Sequence, residues 1–302
     1  VKIVGFQREM AGEVARCYSE LVAPAPFCLP IGEEWFRDPG RLARGPCRNE
    51  TLLVAKESSG EIAGFVHVAV AAPATEDWHV KGEPGLIRFL SYPVGRRAVG
   101  NALLEAAEAW LRERGRSEVV ALDARYLYPC YHLPFAHLSE RIAHVPPLLG
   151  MGGYAVAESE VLFAWEDFGV SDVPKPGLDV ELAAEWRDQV DTFGEGVVVE
   201  PRRGSKVLGE CKIVRLGSDD WRPELKGWCF CTSLQVEGAV QGMGLGRHLL
   251  AVGLRRMREV GLRHALISTD WDNHRAALFY TNFGYRFLDR TSAFRKELTG
   301  AA

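Results

Sequence analysis

Between Trp228 and Gly261 the chain leaves itself few choices of fold. The run Trp228–Val236, WCFCTSLQV, is apolar and β-prone, as a buried strand is. Gln241-Gly242-Met243-Gly244-Leu245-Gly246 follows, and then Leu249, Leu250, Gly253, Leu254, Met257 and Val260 form one helical stripe closed by Gly261. A strand, a glycine-rich turn and a helix N-terminus in succession make an anion site. Glycines let backbone N–H groups approach a ligand, and the helix end is partially positive. Spacing excludes two common nucleotide loops. The glycines of Gly242-Met243-Gly244-Leu245-Gly246 run G-x-G-x-G rather than G-x-G-x-x-G, and G-x-x-x-x-G-K-[ST] occurs nowhere.

A second pattern follows a short predicted strand, His264 to Thr269. It reads Asn273-x-x-Ala276-x-x-Phe279-Tyr280-x-x-x-Gly284-Tyr285. Ala276, Phe279 and Tyr280 share one helical face, and Gly284 ends that helix before another strand. Together the two stretches resemble the signatures of the GNAT acetyltransferase superfamily, Q/R-x-x-G-x-G/A followed by N-x-x-A-x-x-[LF]-Y-x-x-x-G-[FY]. Gln241, Gly244 and Gly246 meet the first, and the second is met at every defined position. The resemblance implies an α/β fold with a mixed α+β sheet: a central, mostly antiparallel sheet flanked by helices, with coenzyme A cradled at the glycine loop.

With 302 residues the chain exceeds one such unit of about 150, so two domains are expected. The N-terminal half repeats the pattern. Leu103-Leu104 and Gly115 stand at the spacing of Leu249-Leu250 and Gly261, behind a strand expected at Gly85 to Ser91 and ahead of another at Glu118 to Asp123. Further strands are expected at Lys2 to Gly5, Thr51 to Lys56 and Ile62 to Ala69, and a helix through Val14, Cys17, Tyr18 and Leu21. The Pro- and Gly-rich stretch 168–177 reads as the linker, giving tandem GNAT-like domains at 1–167 and 178–302.

The copies are unequal. With the helices aligned, Gln241 becomes Gly95, Gly244 becomes Ala98, and Gly246 remains glycine as Gly100; Leu149 stands where Tyr280 would be and Ile142 where Asn273 would be. The first copy therefore reads as a scaffold with a degenerate coenzyme site. It also carries an insert near 126–141, whose Tyr128, Cys130, Tyr131 and His132 are either a relocated site or a packed loop. The second copy has little chain before its first hairpin, with Leu182, Ala183, Trp186 and Val190 at helical spacing. Its acceptor pocket is expected to lack one wall, to be supplied by the first domain or a second chain.

The resemblance implies direct transfer of an acetyl group from acetyl-CoA to a primary amine of a small molecule or a peptide N-terminus. Coenzyme contacts would come from Leu234, Val236, Gln241, Gly242, Met243, Gly244, Leu245, Gly246, Arg247, Asn273 and Tyr280. Leu234 and Val236 would pair with the pantetheine arm as an added strand does. Tyr280, with an unperturbed pKa of about 10, would be the acid for the departing thiol, whose value is about 8.5. Asn273 would orient the coenzyme or the helix turn. Glu237, Asp270 and Asp272 are the candidates for a base, with a water relay as the alternative. Gly238-Ala239 stand where the family often has Pro-Glu/Asp, which would loosen the turn.

The tandem arrangement is also similar to the mycothiol synthase type. The rival reading is a non-catalytic acyl-CoA-binding sensor or scaffold. A net charge of −4 gives no basic footprint for nucleic acid. No membrane span, no metal site and no disulfide framework is expected, and a cytoplasmic monomer or homodimer fits best. The run Arg255, Arg256, Arg258 reads as a solvated helix face.

Overall fold

A computed structural model describes residues 1–29, 31–42, 45–72, 83–128, 133–170, 175–217 and 223–298. Its apolar runs assemble into two units, 1–160 with 289–302, and 161–288. In the first unit the elements are β1 (Lys2–Gly5), α1 (Ala11–Val22), α2 (Glu33–Arg37), α3 (Pro39–Leu42), β2 (Cys47–Lys56), β3 (Ile62–Ala71), β4 (Gly85–Ser91), α4 (Arg97–Glu113), β5 (Glu118–Ala121), β6 (Leu138–Ser139), α5 (Val145–Met151) and most of β7 (Ala155–Trp165). β1 to β4 pair antiparallel in chain order. β4 and β5 are parallel, because α4 crosses between them. That pairing runs only from Gly85↔Val119 to Ile87↔Ala121, so Arg88 to Ser91 continue past the end of β5.

The second unit holds the tail of β7 from Val161, then β8 (Glu181–Arg187), β9 (Gly196–Arg203), β10 (Lys206–Val207), β11 (Gly209–Arg215), β12 (Trp228–Val236), α6 (Leu245–Glu259), β13 (His264–Asp270), α7 (His274–Phe283) and the start of β14 (Arg286–Glu297). β8, β9, β11 and β12 are antiparallel neighbours, and β13 lies parallel to β12 across the α6 crossover. Of the stripe expected from sequence, Leu249, Leu250, Leu254 and Met257 are fully buried against β9, β11 and β12, whereas Val260, at the C-cap of α6, is exposed. Gly253 is required there, since a Cβ would stand 2.7 Å from Ile213 Cδ1.

Three sequence expectations change. Leu182, Ala183, Trp186 and Val190 do not make a helix. Glu181–Arg187 is a strand registered on β9, with Leu182 and Ala184 packed on the core, and pairing overrides a spacing that suits either period. Among the described residues no α-helix precedes α6 in this unit. The units also part at Glu160 and Val161 rather than at 168–177. The last strand belongs to the first unit from Asp289 onward, where Phe294↔Ala121 to Glu297↔Glu118 pair it with β5. Val161, Phe163 and Phe168 lie in the core of the second unit. Of the insert, Tyr128 is buried and stacked on Phe89 at 5.1 Å. Cys130, Tyr131 and His132 lie outside the described residues.

His137, at the end of that insert, is buried, and its Nδ1 accepts from the Ala124 amide at 3.1 Å. Burial brings its pKa down to about 4. An unfolded histidine takes up its proton near 6.5, so between about 6.5 and 4 the unfolded chain binds more protons than the folded one. This stabilisation is complete above that window and lost as pH falls through it, about 3 kcal/mol at its foot. Urea unfolding followed from about pH 7 to about pH 4 should show the loss, with a shallower slope in His137→Gln.

Candidate active site

β12 and β13 part company at Cys231↔Ile267, the last parallel pair. Beyond it β12 keeps β11 alone, through Leu234↔Cys211 and Val236↔Gly209, with a bulge opposite Lys212/Ile213 where the divergence begins. The Glu237 amide turns to Leu208 O at 2.9 Å. By strand alternation the backbone polar groups of Val236 and Leu234 therefore face the opening. A cavity of about 570 Å³ occupies it, walled by Leu234 and Val236, by the loop 240–247, and by Asn273, Arg275, Ala276, Phe279 and Tyr280 of α7 and its cap. That volume suits an organic ligand of drug size, about 300–1,000 Å³.

The loop is a backbone cradle. Gly242 and Gly244 hold φ of +81° and +82°, which non-glycine residues rarely adopt, and Gly244 is the N-cap of α6 without a side-chain cap. The first amide of the loop to find an acceptor again is that of His248, on Gly244 O at 3.1 Å. Among the described residues no acceptor meets the amides from Gly242 to Arg247. Such donors need a partner, and a multiply charged anion fits them. The turn before the loop is ordered without a proline: Gly238–Val240 form a single 3-10 turn, and Gln241 Nε2 donates back to Val236 O at 2.8 Å. The Gln241 side chain thus braces the loop, leaving phosphate contact to the amides.

Two arginines border the same cavity, Arg247 on the loop helix and Arg275 on α7. The guanidinium of Arg247 lies 5.8 Å from the Phe283 ring centroid, and Arg275 donates to Gln241 Oε1 at 2.7 Å. Among the described residues neither has a carboxylate partner. The expected outer face of α6 is paired instead, with Arg256 on Glu259 and Arg258 on Asp167.

Tyr280 is 7% exposed, held edge-on by Phe163 at 6.0 Å and Phe279 at 5.5 Å. Gly284 behind it allows close approach, because a Cβ there would stand 2.9 Å from Trp165 Cζ2. Asn273 caps α7, its Oδ1 accepting from the Ala276 amide at 3.1 Å. Asn273→Ala should cost about 1 kcal/mol of stability and Asn273→Asp little; thermal melts of the two variants check this. Glu237 does not join the cavity wall: it is held by Lys206 at 2.8 Å. Met243 is exposed and also off the wall, while Asp270 and Asp272 are exposed at the strand end. Arg275 is the charged cavity residue that sequence reading missed; Val240 is another lining residue it did not name. Arg275 occupies an undefined position of the second motif, and its positive charge directly before Ala276 was the available signal.

At the end of β4 the first unit has a smaller cavity, about 480 Å³, lined among others by Cys17, Leu21, Ser91, Tyr92, Val94 and His144. Beyond Ile87, Tyr92 donates to His144 O at 2.7 Å, and His144 Nε2 lies 2.8 Å from Tyr92 O, the rings edge-on at 4.7 Å. A Cβ on Gly100 would stand 2.9 Å from the Tyr92 ring, so the glycine retained from the repeat admits a tyrosine. Burial pushes that phenol up to about 12. Leu149, opposite Tyr280 in the repeat, is fully buried.

The family model for acetyltransferases of the GNAT family matches residues 164–285, within the unit that carries the cavity. The second unit is a GNAT acetyltransferase domain. Mycothiol acetyltransferase of Nocardia farcinica (strain IFM 10152) is 26% identical over 308 aligned residues, 93% of this chain and 94% of that protein. That of Parafrankia sp. (strain EAN1pec) is 38% identical over 65 residues, which span 20% of its length. A tandem GNAT protein from the clavulanic acid biosynthesis pathway superposes with a TM-score of 0.62 at 14% identity, covering 100% of this chain and 99% of its own. The fold of that tandem protein is the fold of this chain, and the matched stretch 164–285 is of the acetyltransferase (GNAT) family. No described helix is long and apolar enough to cross a membrane.

Proposed function

We propose that this GNAT enzyme acetylates the primary amine of a small molecule from acetyl-CoA, at the second unit. The observation that carries the reading is the convergence, on one cavity, of the unpaired amides from Gly242 to Arg247, the free edge of β12 and the phenol of Tyr280. When bound, acetyl-CoA supplies the acetyl group as a thioester, activated toward an amine. The six amides and the α6 N-terminus bind its diphosphate. Leu234 and Val236 orient the pantetheine arm along the strand edge; Val236 keeps only its N–H for this, since its carbonyl is taken by Gln241. An amide donor at a developing oxyanion is worth about 3–4 kcal/mol.

Tyr280 holds a proton at its phenol oxygen on the cavity wall, where a departing sulfur needs one. Glu237, paired with Lys206, is poorly placed as a base, which favours a water relay for the amine proton. Similarity to mycothiol acetyltransferases over nearly the whole chain favours a small conjugate of that kind over a peptide N-terminus. The bridge between Tyr92 and His144 favours a single working coenzyme site. The test is thiol release from acetyl-CoA over a panel of amines, with small aminothiol conjugates set against peptides. Turnover on peptides alone, or on no amine at all, overturns the reading; the second outcome would favour an acyl-CoA sensor.

A further inference from the structure

Arg275 stands one residue before Ala276 of the second motif, on the first turn of α7, where the motif defines no residue. Its guanidinium is fixed by a neutral partner, Gln241 Oε1 at 2.7 Å, and Gln241 in turn holds Val236 O at 2.8 Å. This chain of two hydrogen bonds joins the helix of Tyr280, the glycine loop and the end of β12. An arginine that served only to pin the loop would need no charge, because its acceptor carries none. Its charge is also uncompensated: among the described residues no carboxylate pairs with it. Arg247, across the same cavity, is likewise unpaired. Several arginines elsewhere are matched with carboxylates, as in Arg16 with Glu20, Arg116 with Glu83 and Arg215 with Glu195. Two unmatched cations beside six unmatched amides call for an anion of more than one charge.

We infer that Arg275 is a coenzyme-reading residue, placing its guanidinium on the diphosphate opposite Arg247, with Gln241 setting its direction. The inference rests on the coenzyme reading above and adds a side chain to a cradle otherwise made of backbone. It also gives Gln241 a purpose other than phosphate contact.

The test uses the full chain, with CoA followed by calorimetry and pantetheine, which has no phosphate, followed by NMR titration. Arg275→Ala should weaken CoA about tenfold or more, as loss of a charge-assisted contact does. Pantetheine binding should stay unchanged, and Arg275→Lys should recover much of the CoA affinity. Parallel weakening of CoA and pantetheine would show that Arg275 only shapes the loop and would overturn the inference. Unchanged CoA affinity in Arg275→Ala would do the same. Failure of the unmutated chain to bind CoA would instead remove the coenzyme reading, and this inference with it.

Discussion

Tyr280→Phe lowers kcat by about 100- to 10,000-fold, the usual worth of a positioned acid, and leaves the KM for acetyl-CoA within about threefold. The split follows from what the substitution keeps. The ring of residue 280 sits among Phe163, Phe279 and Tyr285 at 6.0, 5.5 and 6.2 Å, and a phenylalanine retains that packing. The coenzyme cradle lies on other elements, the loop 242–247 and the edge of β12. Only the proton at the phenol oxygen is lost. Steady-state kinetics with the best amine of the panel decide the matter. A kcat within a few-fold of the parent would mean that the sulfur leaves without help from this residue.

A fragment comprising 175–302 has no cooperative unfolding transition, whereas one comprising 161–288 does. The fragment that starts after the linker omits Val161, Phe163 and Phe168, which are 4%, 3% and 0% exposed in the core. It also omits Trp165, whose ring lies 5.8 Å from Phe283 and 5.7 Å from Tyr285. Losing a buried aromatic side chain costs about 3–5 kcal/mol, and a domain has about 5–15 kcal/mol to lose. Several such losses together exceed that margin. Calorimetry on the two fragments distinguishes them: a sharp transition in 175–302 would show that the tail of β7 is dispensable. The same omission removes Phe163 from the ring of Tyr280, so a folded 175–302 fragment would still be expected to be a poor enzyme.

Much of the second unit was readable because its signals are local. The strand Trp228–Val236 has the bounds its composition suggested, and Asn273, Ala276 and Gly284 each show the cap, helix and close approach that their residue types serve. Long-range pairing was not readable. Leu182, Ala183 and Trp186 satisfy a helical spacing, while Leu182 and Ala184 satisfy an alternating one, and β9 alone decides between them. Nothing local in Phe294 or Glu297 tells that their partners are Ala121 and Glu118. Arg275 was invisible for a different reason: a motif records what it constrains, and a charge in an unconstrained slot acquires meaning only when its neighbours are seen.

The pairing of Phe294 with Ala121 has a consequence for synthesis. At about 5–20 residues per second, β5 waits on the order of ten seconds or more for the strand that covers its edge. During that interval the nascent first unit presents unpaired amides and carbonyls, an invitation to the wrong strand. The first unit is therefore completed only after the whole of the second has been made.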